Sequence, residues 1–183
     1  MSTTHAGAAR YDNLAIGLHW LSAVLVLAAL ALIEGKGWFP KAGGLRDGVK
    51  LWHFQVGALV LLATACRIGW LFVSRRPSPA APRGSRQARL AAAAHALLYL
   101  LLLALPLSGL ALLFVAGKPV SLFGWELPLW AEGGKAAAKG VKRLHESAGN
   151  LMIVLVAAHV AAALWHRFVR RDGVLARMLP PAG

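Results

Sequence analysis

One cysteine, seven acidic residues and two tyrosines are all that this sequence of 183 residues holds of residue types that soluble domains use freely. The lone Cys66 excludes a disulfide framework. With no Cys-x-x-Cys there is neither a thioredoxin-like motif nor a Cys-x-x-Cys-His attachment for covalent haem. Cys66 falls inside an apolar run, where a small core residue is expected. The scarcity of acid leaves a formal net charge of +13. In a soluble chain that excess would point to nucleic acid, but here the basic residues flank apolar runs, so no nucleic-acid partner is expected. Acids are also missing from the runs themselves, which argues against a buried proton relay.

What is present is apolar. At 58% hydrophobic residues and a mean hydropathy of +0.59, the chain is no ordinary soluble domain. Four runs, Leu14–Ile33, Phe54–Val73, Leu90–Ala116 and Ser147–Trp165, are each long enough to cross a bilayer as a helix. The expected fold is all-α: a four-helix transmembrane bundle forming one integral membrane domain over residues 1–183, with spans at about 14–33, 51–73, 90–116 and 145–168. The first run is long for a signal-peptide core and follows a single Arg, so it reads as a retained span. Eleven basic residues fall on the side of the termini and nine on the other, with the 73–89 loop rich in Arg. That bias places both termini in the cytoplasm of a bacterial inner membrane. The 117–143 loop, with Trp125, Pro128 and Trp130, reads as an interfacial segment, and Pro106 predicts a kink in span three.

Four histidines organise the chain. His145 and His159 stand fourteen residues apart in a run with no charged residue from Ser147 to Trp165. Fourteen steps of about 100° return to the same helix face, roughly 21 Å further along the axis. His53 and His145 both lie within three residues of the last outer basic residue, Lys50 and Arg143, so these two are level near the outer face. His19, five residues into span one, is level with His159 near the inner face. Two imidazoles at one depth on different helices are what a bis-histidine haem needs, one from each side of the ring. Ala15 and Ala23 beside His19, Gly57 after His53, Gly149 after His145 and Ala163 after His159 leave room for a broad, flat group. Histidines that merely knit helices together are the competing reading. Zinc is the other metal reading, but the pairs bring no Cys and only Glu146 as a nearby carboxylate. His95 shares the inner depth and competes with His19 as ligand; its other role is to bond a haem propionate or a quinone. Trp20, Arg67 and His166 cluster at the same depth, as candidates for a propionate or quinone, although Arg67 also has the reach to snorkel to the surface.

These residues carry a family resemblance. His19-Trp20 in span one, His53 opening span two, Leu105-Pro106-Leu107-Ser108-Gly109 in span three, then His145-Glu146 and His159 resemble the bacterial cytochrome b561 family, from Tyr11 to about Pro180. The resemblance implies a four-helix membrane cytochrome with two non-covalent b-type haems, held by His19 and His159 on the inner side and by His53 and His145 on the outer. It also implies oxidoreductase chemistry of the superoxide:ubiquinone type, with ubiquinone as acceptor. Related cytochrome subunits serve hydrogenases and formate dehydrogenases, so the donor stays open between superoxide and a redox partner protein. Two axial imidazoles leave iron no open site, which favours electron transfer through the haem edge. Lys142 and Arg143, within a turn of His145, form a positive rim able to steer an anion such as superoxide, or else anchor the loop at the lipid interface. Two other classes remain: an electron-transfer anchor for a soluble dehydrogenase or hydrogenase, and a non-redox four-helix protein.

Overall fold

Each of the four apolar runs forms a helix in the computed structural model, which describes residues 10–74, 77–78, 81–82, 84–127 and 133–180. His5, Arg75, Arg76, Pro79, Arg83, Pro128, Trp130 and Glu132 lie outside the described residues. Helix α1 (Asn13–Gly35) starts where the Asp12 carboxylate accepts the Ala15 amide at 2.9 Å, a side-chain N-cap that satisfies one orphan donor. Helix α2 (Leu45–Val73) follows Gly43 and Gly44, whose φ of +92° and +79° suit residues without Cβ. Helix α3 (Arg86–Val115) is capped by Ser85, and α4 (Gly134–Trp165) runs on into a π-helical turn at His166–Arg170. All four are long and apolar enough to cross a membrane.

The helices overrun the apolar runs. The second begins at Leu45 and the fourth at Gly134, well before the expected 51 and 145. Hydropathy ends a span at its first charge, whereas a helix continues above the hydrocarbon as long as its backbone bonds and surface pairs hold. Lys50–Asp47 at 2.7 Å and Lys142–Glu146 at 3.1 Å are such pairs. His53 and His145 therefore lie two and three turns inside their helices. Between α3 and α4 the loop folds into an antiparallel hairpin, β1 (Val120–Leu122) with β2 (Trp125–Leu127). Buried Gln55 pins it, donating to the Ser121 carbonyl at 2.8 Å and accepting the Phe123 amide at 3.1 Å.

Helix α1 packs on α2, α2 on α3, and α3 on α4, while α4 makes no comparable packing with α1 or α2. An apolar plug of Val60, Leu101, Leu102 and Met152 closes the middle of the bundle. Val60 is midway between His53 and Arg67, and Met152 midway between His145 and His159, so the plug divides the interior into two half-sites. Outward faces stay apolar, as at Val24, Leu27 and Val154, and suit lipid. Cys66 is among these outward residues and is not the core residue its run suggested. With lipid outside, a small apolar side chain costs the same on either face, and nothing in the run marks which face is inside.

The first and last described residues meet at one end of the bundle. Tyr11 donates its amide to the Arg177 carbonyl at 3.3 Å, Arg10 reaches the Leu179 carbonyl, and Arg177 bonds the Ser78 carbonyl at 2.7 Å. Trp70 Nε1 donates to both Asp12 oxygens at 3.0 and 3.1 Å, tying α2 to the cap of α1. The hairpin marks the opposite, loop end.

Candidate functional site

Two ring pairs bridge the gap that helix packing leaves open. His53 of α2 and His145 of α4 have ring centres 6.3 Å apart at the loop end. His19 of α1 and His159 of α4 have the same 6.3 Å separation at the terminal end. An imidazole nitrogen stands about 2 Å from a first-row metal with its ring centre about 1.1 Å behind it, so two trans ligands put their ring centres roughly 6.3 Å apart. Both pairs meet that spacing. Their interplanar angles of 87° and 57° are no obstacle, because each ring can turn about its own metal–nitrogen axis.

Hydrogen bonds at the loop end prepare both rings. His53 Nδ1 lies 2.8 Å from the Ala29 carbonyl, which can only accept, so Nδ1 carries the proton and Nε2 keeps its lone pair. His145 Nδ1 lies 2.8 Å from Ser108 Oγ, and that hydroxyl donates its one proton to the Leu105 carbonyl at 2.8 Å. Ser108 therefore accepts from His145, and the second ring is fixed in the same tautomer. Gly109 completes the arrangement: a Cβ there would stand 3.3 Å from His145 Cε1. The Leu-Pro-x-Ser-Gly segment, which sequence suggested as a kink, thus also builds the seat of a ring on another helix. Nothing local to residues 105–109 names His145 as the partner, so that role was invisible in sequence.

Around this pair opens a cavity of about 1440 Å³, above the roughly 300–1000 Å³ of ordinary small-molecule sites. Gly57, Gly109 and Gly149 line it beside the two rings. Its mouth carries Lys36, Lys41, Arg46, Lys50, Lys118, Lys139 and Lys142 against Glu34, Asp47 and Glu146. Arg46 Nε is buried with no partner among the described residues, an unsatisfied cationic donor at the wall of an apolar cavity. Among the described residues no three His, Cys, Asp or Glu side chains converge to hold an ion. A pair of histidines would suffice to hold haem, which needs no third ligand from the chain, and the residues present fit it.

The terminal end is built differently. His95 stacks edge-on to His159 at 5.6 Å, and its Nδ1 donates to its own helix at the Ala91 carbonyl, 2.7 Å away. It is exposed, where His19 and His159 are half-buried. Arg67 lies over the Tyr99 ring at 5.0 Å with one guanidinium nitrogen 3.4 Å from His19 Nδ1. Trp20 touches His19 edge-on at 5.6 Å but commits its indole N–H to the Met178 carbonyl at 2.7 Å, so it holds the C-terminal segment. His166 faces Asp172, 2.6 Å away, and stands outside the ring cluster. Burial opposes ionisation of Asp172, yet the bonds from His166 and the Val174 amide hold its carboxyl below its ordinary value. Of the two rim residues read from sequence, Lys142 lines the cavity but is paired with Glu146, and Arg143 lies outside the lining.

A family model described as prokaryotic cytochrome b561 matches residues 10–181. The chain is 32% identical to "Cytochrome b561 homolog 1" of Escherichia coli K12 over 93% of its own length and 97% of that protein. It is 34% identical to "Probable superoxide oxidase CybB" of Yersinia pestis, covering 93% and 96%. A third relative, "Cytochrome b561 homolog 2" of Escherichia coli K12, is 35% identical over 93% and 91%.

Proposed function

The chain belongs to the prokaryotic cytochrome b561 family, and from that premise we propose that it is a di-haem superoxide:ubiquinone oxidoreductase of the bacterial inner membrane. Membrane electron transfer through b-type haem is the family's activity. The observation that carries the di-haem reading is the pair of 6.3 Å ring separations, each between helices with little direct packing on one another. His53 and His145 would hold the loop-end haem, and His19 and His159 the terminal-end haem. His95 is left as a neighbour of His159, since its exposure and its bond to Ala91 suit a ligand role less. Both chain ends would face the cytoplasm, as the Arg-rich 73–89 loop supports.

Haem held by these histidines would supply one-electron exchange, with oxygen chemistry at the iron disfavoured. The chain's own residues do the rest. The lysines at the cavity mouth focus a positive field that draws an anion toward His53 and His145. Arg46 offers its unpaired Nε–H to a haem carboxylate, and Arg67 offers a second cation beside His19. Each superoxide gives up one electron and leaves as dioxygen; two electrons and two protons convert ubiquinone to ubiquinol. Superoxide as donor is supported by the cationic mouth and by the Yersinia pestis relative.

An anchor that docks a soluble redox partner is the second reading. It is favoured by the hairpin residues Phe123 and Trp125, which are 53% and 80% exposed at the loop end. One experiment separates the two. Superoxide is added anaerobically to the purified oxidised protein, and haem absorbance is followed before and after ubiquinone. Reduction without any partner protein, reversed by ubiquinone, is expected. His53→Ala or His145→Ala should lose one haem, and His19→Ala or His159→Ala the other. A fully loaded protein that superoxide leaves oxidised would overturn the donor, and retention of both haems in those variants would overturn the ligands.

A further inference from the structure

The two ring pairs differ in what their second nitrogens touch. At the loop end both Nδ1–H groups meet oxygen: the Ala29 carbonyl for His53, and for His145 a Ser108 hydroxyl whose own proton is committed to Leu105, each contact at 2.8 Å. An acceptor on Nδ1–H draws the proton outward and makes Nε2 a more basic donor to metal. A more basic ligand stabilises the higher oxidation state, so both contacts act to lower the reduction potential.

At the terminal end the polarity is reversed. Among the described residues, no oxygen is hydrogen-bonded to a ring nitrogen of His19 or His159. The polar group beside His19 is Arg67, 3.4 Å from Nδ1 and held over Tyr99. A guanidinium offers only N–H and stays charged, so it cannot accept a proton from imidazole. A fixed cation 3.4 Å from a ligand ring favours the reduced iron, which carries one positive charge less, and raises the potential. The cations of the loop-end cavity act in the same sense but more weakly: its lysines are mostly exposed to screening solvent, Lys50 and Lys142 are paired with Asp47 and Glu146, and the charge of Arg46 would be offset by the carboxylate it meets. The apolar plug of Val60, Leu101, Leu102 and Met152 between the half-sites keeps the two environments apart.

We propose that these contacts order the haems by potential: Ser108 and the Ala29 carbonyl hold the loop-end site lower, Arg67 holds the terminal-end site higher, and electrons entering at the loop end run downhill toward the chain ends. The inference rests on the ligand assignment of the preceding section. Within it, Ser108 is a positioning residue that acts through His145, and Arg67 is a tuning cation.

The test is an equilibrium redox titration of the purified two-haem protein, read from the haem absorbance. His53→Ala leaves the terminal-end haem alone, and its potential should coincide with the higher of the two wild-type values. Coincidence with the lower value would overturn the ordering. Ser108→Ala should raise only the lower potential, increasing the reduced-to-oxidised ratio at fixed ambient potential about tenfold, or about 59 mV for one electron. Ser108→Thr, which keeps the hydroxyl, should restore it. Arg67→Gln should lower only the higher potential. If Ser108→Ala binds two haems with unchanged bis-imidazole spectra and neither potential moves, the inference fails while the ligand assignment stands. If His53→Ala keeps both haems, the ligand assignment itself fails and takes the inference with it. Should Ser108→Ala not load its loop-end haem, the His53→Ala titration still decides the ordering.

Discussion

Gly109 is where the loop-end site has least room, and Gly109→Ala and Gly109→Val measure it. A Cβ at this position would stand 3.3 Å from His145 Cε1 and 3.8 Å from Nδ1. Carbon atoms rest at about 3.5–4.0 Å, so the ring has to retreat by a few tenths of an ångström. Its tether resists: Nδ1 is 2.8 Å from Ser108 Oγ. A retreat of about 0.4 Å stretches that bond to the limit of about 3.2 Å. Alanine therefore weakens the seat without destroying it, at about 1 kcal/mol of overpacking. That corresponds to roughly a fivefold loss of haem affinity at one site. Helix propensity works the other way, since Gly→Ala within a helix stabilises it by about 0.5–1 kcal/mol, with haem or without it. The two effects nearly cancel in the haem-free protein, whose melting temperature should hold to within a few degrees while loop-end haem is lost more readily, a divergence that general damage would not give. Valine adds γ carbons where the ring stands and should leave the protein with the terminal-end haem alone. The assay is the haem-to-protein ratio under dilution in detergent, paired with thermal unfolding. Gly109→Val carrying two haems at full stoichiometry would refute the seat described here.

Charge at the cavity mouth and the cap of α1 give two further expectations. Lys41→Glu, Lys118→Glu and Lys139→Glu together should slow haem reduction by superoxide several-fold at low salt, a rough figure for reversing a field. The effect should shrink as the Debye length falls to about 8 Å near physiological salt, whereas Lys142→Gln, already paired with Glu146, should change little. A deficit independent of salt would reject steering. At the other end, the Ala15 amide, and after it the Trp70 indole, hold the Asp12 carboxyl below its ordinary value of 3.8 against the opposing effect of burial. A depressed folded-state value means this cap stabilises the protein above pH 3.8 and is lost as pH falls through the folded-state value. Protection of the first-turn amides of α1, taken relative to the intrinsic exchange rate at each pH, should fall on that descent. In Asp12→Ala, about 1 kcal/mol less stable at neutral pH, that protection should be low throughout and flat across the same window.

The four spans and two ring pairs were legible because both rest on local signals that lipid makes expensive to fake. A charge-free run long enough to cross is a helix, since no other backbone satisfies itself in hydrocarbon. An imidazole inside such a run needs a partner at its own depth, and counting from the flanking charges finds His53 for His145 and His19 for His159. What stayed hidden depends on rotation about the helix axes. Apolar residues face both lipid and interior, so periodicity loses the inside-outside contrast it has in soluble helices. Cys66, expected in the core, faces outward for that reason. Trp20 and His166 shared the depth of the terminal-end pair, yet they turn to Met178 and Asp172. Depth is one coordinate of two. The missing angle shows where helices commit polar atoms to one another, as Ser108 does to His145 and Gln55 to the hairpin. Ser108 lies 37 residues from the ring it seats, so no local pattern contains both. In a bundle whose surface and core are equally apolar, the rare polar side chains help to set the rotation of each helix, and one of them, Ser108, also sets the tautomer of His145. Changing it should therefore perturb haem binding and helix packing together. Ser108→Thr, which preserves the hydroxyl, is the substitution expected to leave both intact.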